Sequence, residues 1–145
     1  MAETASITGW HAHVYFTDAE VDRARAVCEA MRDRFGVEMG RMHVQPVGPH
    51  PTGSCQMTVP PETFGELTAW LALNRDGLTV FTHAETGDVM ADHTQHVLWL
   101  GESQPLRLDV LHAAIAKSQT ARADPALLPK RYESGIKSVS KRYRC

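Results

Sequence analysis

The chain is poor in cysteine, and its thiols form no motif. Cys28, Cys55 and Cys145 are odd in number and far apart in sequence, which points to neither a disulfide framework nor a thiolate zinc site. No apolar run approaches the roughly 20 residues needed to cross a bilayer. The start, Met1-Ala2-Glu3-Thr4, lacks the basic and apolar regions of a signal peptide, so the expected setting is cytoplasmic, without a membrane. Charge of either sign is not in excess: the formal net charge is -2. The one basic stretch, 120–145, is short, so no nucleic-acid partner is expected. No internal repeat is present. What remains, 145 residues with 43% hydrophobic and 22% charged side chains, is the composition of one globular domain with a core of its own.

Histidine is the exception to this plain composition. Eight occur, and seven of them lie between positions 11 and 96, against a usual frequency of about 2%. The first two stand in Trp10-His11-Ala12-His13-Val14-Tyr15-Phe16. This run alternates as a strand: Trp10, Ala12, Val14 and Phe16 face one way, and His11, His13 and Tyr15 face the other.

Thr17 to Glu20 reads as a capping box. A helix follows, with Val21, Ala24, Val27 or Cys28, Met31 and Phe35 on one stripe and Gly36 as its stop. A second strand is predicted over 40–47, with Pro46 marking an edge. Its faces carry Met42, Val44 and Pro46 on one side and Arg41, His43 and Gln45 on the other. The turn-rich connector Val47 to Gly53 holds His50 between two prolines. A third strand covers about 54–59. Pro60-Pro61-Glu62 opens a second helix carrying Phe64, Leu67, Trp70 and Leu71. A fourth strand, Leu78 to His83, turns Thr79, Phe81 and His83 to one face. The order β-α-β-β-α-β predicts an α+β, ferredoxin-like antiparallel sheet with both helices on one side. A loop over 84–92, an apolar segment His96 to Leu100 and a short helix within 106–115 complete the expected domain, 1–119. A basic C-terminal tail, 120–145, follows as an extension.

In this topology the first and fourth strands are antiparallel neighbours. His11 and His83 then oppose each other, with Cβ atoms about 4.5–5.5 Å apart, and His13 lies one pleat away. His11, His13, Tyr15 and His83 share the face that carries no helix. Imidazole suits iron, zinc, nickel and copper, and three such donors on rigid strands leave coordination positions open; two histidines with one carboxylate would serve as well. Glu85, Asp88 and Asp92 are the nearby carboxylates. His93 is a further ligand or a general acid/base, with Asp92 placed to orient it. A wet sheet face would also suit His11 and His13. His50 is equally readable as a loop histidine, His43 and His112 as surface residues, and Phe64 and Trp70 as core.

The first-strand motif, Pro46-Val47-Gly48-Pro49-His50-Pro51, Val80-Phe81-Thr82-His83 with Thr86-Gly87, and Asp92-His93 with Trp99-Leu100-Gly101 together resemble the successive motifs of the DOPA 4,5-dioxygenase family. The likeness covers roughly residues 9–110. One departure is Ala84, where relatives often place proline after the histidine. The resemblance implies extradiol cleavage of a catechol by a non-haem metal, usually Fe(II), with dioxygen; zinc or another divalent ion would be a substitute. It points to His11, His13 and His83 as metal ligands, and to His93, His50 and Tyr15 as acid/base or substrate-orienting groups.

Two other readings compete. A ferredoxin-like module can pair its open face into a dimer and bind a ligand or metal without chemistry, because fold alone does not decide function. A cofactor-free monooxygenase would work in the presence of a chelator. A homodimer is expected in any case, since Tyr15 and Phe81 would otherwise lie exposed on a bare sheet face.

Overall fold

A computed structural model describes residues 6–123. The chain divides into two compact units, one ending at His112 and the other starting at Ala113. All five strands and the site lie in the first. Of the second, only the last residues of a helix are described. The basic tail expected over 120–145 lies outside the described residues from position 124 onward.

The first unit is a five-stranded antiparallel sheet with strand order β2-β3-β1-β4-β5. The strands are β1 (Gly9–Phe16), β2 (Glu38–His43), β3 (Gly53–Val59), β4 (Val80–Glu85) and β5 (Val97–Leu100). Helices α1 (Val21–Phe35) and α2 (Pro61–Asn74) are the two crossovers. The α+β ferredoxin-like expectation therefore holds, with β5 added beyond β4. Among the described residues no helix is long and apolar enough to cross a membrane.

Alternation along β1 determines the core. Ala12, Val14 and Phe16 are buried with Ala24, Val27, Cys28 and Met31 of α1 and with Leu67 and Leu71 of α2. Burying each large apolar side chain contributes about 1.5–3 kcal/mol, and that drives both helices onto one face. Trp10 stacks on Phe64 with ring centroids 3.9 Å apart, and Trp70 meets Phe35 edge-on. The Glu20 carboxylate accepts from the Thr17 N–H at 2.9 Å, the predicted box, here opening a short 3-10 turn ahead of α1. Gly36 ends α1 at φ 66, a left-handed cap that glycine adopts without strain.

Three local expectations need correction. Strand β2 spans Glu38–His43 rather than 40–47: it pairs with β3 only as far as His43, through a register shift between Met39 and Met42. Val44, Gln45 and Pro46 lie past the pairing and are exposed. Residues 84–92 are not a loop. Strand β4 runs on to Glu85, and α3 (Val89–Thr94) begins where the Asp88 side chain accepts from the Ala91 N–H. Helix α4 (Leu108–Ala123) is longer than the predicted 106–115.

Ala84 is therefore not a loop residue. It is buried in β4, and its N–H donates to the His96 carbonyl at 2.9 Å, a bond that proline, lacking the N–H, cannot make.

Gly53 opens β3 where the chain emerges from the His50 connector. A Cβ there would lie 2.8 Å from the Phe16 carbonyl oxygen, 2.9 Å from the Phe16 ring and 3.0 Å from the His43 oxygen. Any side chain would force β3 away from both neighbours. The expected result for Gly53→Ala is a loss of stability of about 1–3 kcal/mol, the usual range for overpacking, read as a lower midpoint in urea. An unchanged midpoint would show that the strand start yields freely.

Candidate metal centre

The face opposite α1 and α2 gathers five imidazoles. His11 pairs with His83 across β1 and β4, as the alternation required. His13 lies two residues on, with Phe81 opposite it on β4 and Gln56 opposite it on β3. Two further segments bring the others. The connector after β2 lays His50 over His13, with ring centroids 4.0 Å apart. Helix α3 lays His93 over His83 at the same spacing. The five surround a cavity of about 270 Å³, lined also by Pro49, Gln56 and Glu85.

This face is not bare. Tyr15 is 2% exposed, Phe81 0%, His13 3% and His83 1%. Trp99 of β5 packs on Phe81 with ring centroids 4.6 Å apart, and the Pro49 carbonyl accepts from the Arg107 N–H at 2.8 Å, tying the connector down. The chain covers its own aromatic rings, so their exposure is no ground for a dimer.

Hydrogen bonding assigns the tautomers. A carbonyl oxygen only accepts, so Nδ1 of His83, 3.1 Å from the Ala84 oxygen, carries hydrogen and leaves a lone pair on Nε2. The Glu85 carboxylate likewise puts the hydrogen of His11 on Nδ1, 3.1 Å away. Nε2 of His11 then accepts from the Gln56 amide at 3.4 Å. Nε2 of His83 faces Nε2 of His13 at 3.3 Å.

These histidines are held neutral. Burial lowers the pKa of His13 well below its ordinary value, and neighbouring imidazoles, His50 first, lower it further. Burial, with help from His93, takes His83 and His50 to about 4. At His11 burial outweighs the opposing pull of Glu85. Ligand nitrogens of His11, His13 and His83 all lie within 4.8 Å of one another. Neutral imidazoles turned inward, two with Nδ1–H anchored on oxygen acceptors, are the donor set a divalent metal needs. The residues present fit the ion.

The other predicted residues divide. Tyr15 O–H lies 2.8 Å from Nδ1 of His50, and burial raises the tyrosine pKa, so it stays a phenol. His93 Nδ1 donates to the Val89 carbonyl at 2.7 Å, which leaves its Nε2 free to accept. Asp92 does not orient His93. It accepts instead from His96 Nδ1 at 2.8 Å and from the N–H and hydroxyl of Thr86 at 2.8 and 2.6 Å. Burial alone would raise the Asp92 carboxyl, but these bonds hold it below its usual range. Asp92 ties α3 to the end of β4 and so places His93 indirectly. Asp88 is a helix cap, His112 is exposed, and His43 is half-buried at the end of β2. Gln56 escaped the sequence reading, although the alternation of β3 already puts it on the histidine face.

Residues 10–110 match the model of the Dopa 4,5-dioxygenase family. The chain is 33% identical to the DOPA 4,5-dioxygenase of Amanita muscaria over 114 residues, 72% of this chain and 50% of that protein. It is 32% identical to an uncharacterised 21.2 kDa protein of Botryotinia fuckeliana, over 68% of this chain and 61% of that one. The chain therefore spans about half to three-fifths of the curated relatives it matches. A crystal structure of a candidate dioxygenase from Nostoc punctiforme superposes with TM-score 0.66 at 40% identity, covering 74% of this chain and 94% of that one.

The neutral cluster has a consequence for stability. Unfolded histidines take up protons near pH 6.5, whereas His50 and His83 in the folded chain resist until about 4. Between those values the unfolded state binds more protons, so stability falls as pH falls. The thermal midpoint of metal-free protein should be lower at about pH 5 than at neutral pH; an equal or higher midpoint would contradict the neutral assignment.

Proposed function

Because the chain belongs to the Dopa 4,5-dioxygenase family, we propose that it is a metal-dependent extradiol dioxygenase that opens the ring of a catechol with dioxygen. The observation that carries this reading is the convergence of His11, His13 and His83 within 4.8 Å beside a small cavity. These three residues would hold the ion, with Fe(II) the expected one. When bound, the ion supplies Lewis-acid stabilisation of the ionised catechol and a common site for catechol and dioxygen.

The chain's own groups handle protons. His93, with hydrogen on Nδ1, accepts a catechol proton at Nε2 as general base. In this reading Tyr15, on the other side of the cluster, is the donor to Nδ1 of His50, 2.8 Å away. That leaves the hydrogen of His50 on Nε2, so His50 donates to a substrate or product oxygen. An acceptor and a donor thus flank the three ligands. Both oxygen atoms enter the ring-opened product and the ring supplies the electrons, so no external reductant is required. Covering by the connector and α3 leaves His13, His50 and His83 buried, and the reduced access of water strengthens the polar interactions they make.

Protein loaded anaerobically with Fe(II) should take up oxygen and form a yellow product with catechol, DOPA or caffeate. Absence of oxygen uptake with all three would overturn the reading. His13→Ala should lose stoichiometric metal; retained metal would remove His13 from the ligand set. His93→Ala should keep its metal and lose about 10²–10⁴-fold in kcat, the usual contribution of a general acid or base. A kcat within a few-fold of the parent would assign His93 to packing.

A further inference from the structure

Gln56 stands in the cavity wall on β3, opposite His13 of β1. Its amide N–H donates to Nε2 of His11 at 3.4 Å. That bond is long for an N–H donor, and it is the only side-chain hydrogen bond of Gln56 among the described residues. The side chain is half-buried. On its other flank β2 presents Gly40, where a Cβ would lie 3.7 Å from the Gln56 Cβ and 2.9 Å from its carbonyl oxygen. Gly40 therefore leaves the arm unconfined on that side.

The His11 ring carries its hydrogen on Nδ1, 3.1 Å from Glu85, so its one lone pair is on Nε2. That nitrogen is the one left to hold an ion. A single lone pair serves an amide N–H or an ion, not both. Displaced from His11, the amide has no other protein partner among the described residues, and a polar group left unpaired in a half-buried place is costly.

We propose that Gln56 is a displaceable arm: it occupies the His11 lone pair in metal-free protein and, with an ion on that nitrogen, turns its amide to an oxygen of the bound catechol. This rests on the ring-cleavage reading and names a further substrate-binding residue for it. An amide suits the position. It adds no charge beside the divalent ion. It offers N–H donors to an ionised catechol oxygen and a carbonyl acceptor to one that keeps its proton.

The test uses the full chain and compares the parent with Gln56→Leu, which keeps the bulk and removes the amide. Metal-free protein is titrated with Zn(II) against a competing chelator. Anaerobic Zn(II)-loaded protein is then titrated with catechol by calorimetry. Gln56→Leu should bind Zn(II) about two- to tenfold more tightly, because nothing has to leave His11, and catechol about tenfold more weakly, for one lost hydrogen bond. A damaged fold would weaken both, so the opposite signs are diagnostic. Unchanged or weaker Zn(II) binding by Gln56→Leu would overturn the proposal, as would equal catechol affinity in the two proteins. In the labelled parent, the side-chain NH2 resonance of Gln56 should move on adding Zn(II) and again on adding catechol; a resonance that stays in place at either step refutes the arm without any substitution. Parent protein that binds Zn(II) but no catechol would overturn the catechol reading together with the contact to substrate. The expected shifts without oxygen uptake in Fe(II)-loaded protein would uphold Gln56 and overturn only ring cleavage.

Discussion

The antiparallel register of β1 against β4 governs this molecule's site. It sets His11 opposite His83 and His13 opposite Phe81. Side chains alternate with a period of two, so a slip of one residue would send all of these to the helix side and bring Ala12 and Val14 out of the core. The same pairing thus secures the core and the histidine cluster at once. The apolar half of β1 has α1 and α2 to bury it, and that fixes which half is left for chemistry.

Enclosure turns a polar sheet face into a cluster of neutral bases. Three imidazoles on an open face would be solvated and would titrate near their ordinary value. Here the connector carrying His50 and helix α3 carrying His93 close over them, while the Trp99 ring covers the adjoining Phe81 and Tyr15. Desolvation and mutual repulsion then disfavour protonation. The closing elements are themselves pinned by polar bonds: Arg107 to Pro49 on one side, and Asp92 to Thr86 and His96 on the other. Asp92 shows how a residue in an Asp-His pair can act at one remove. It secures the helix on which His93 rides, and hydrogen-bonds a different histidine.

Glu85 connects two of the sheet histidines. It lies beside Nδ1 of both His11 and His83 and so orients the nitrogens that would hold an ion. A carboxylate that accepts from a ligand histidine raises that ligand's basicity.

By itself the sequence determined the period-two pattern of β1, the helical stripe ending at Gly36, the β-α-β-β-α-β order and, through them, the meeting of His11, His13 and His83. Each follows from local periodicity and short-range chain chemistry. The end of β2 at His43 was not legible, because strand length depends on how far a partner extends; nor was the helix across 89–94, whose start rests on one Asp88 cap. Only the tertiary structure decided that His50 and His93 lie over the sheet histidines, that Asp92 binds His96, and that Tyr15 and Phe81 are covered within the chain. Those contacts join segments tens of residues apart through loops whose paths no local pattern encodes.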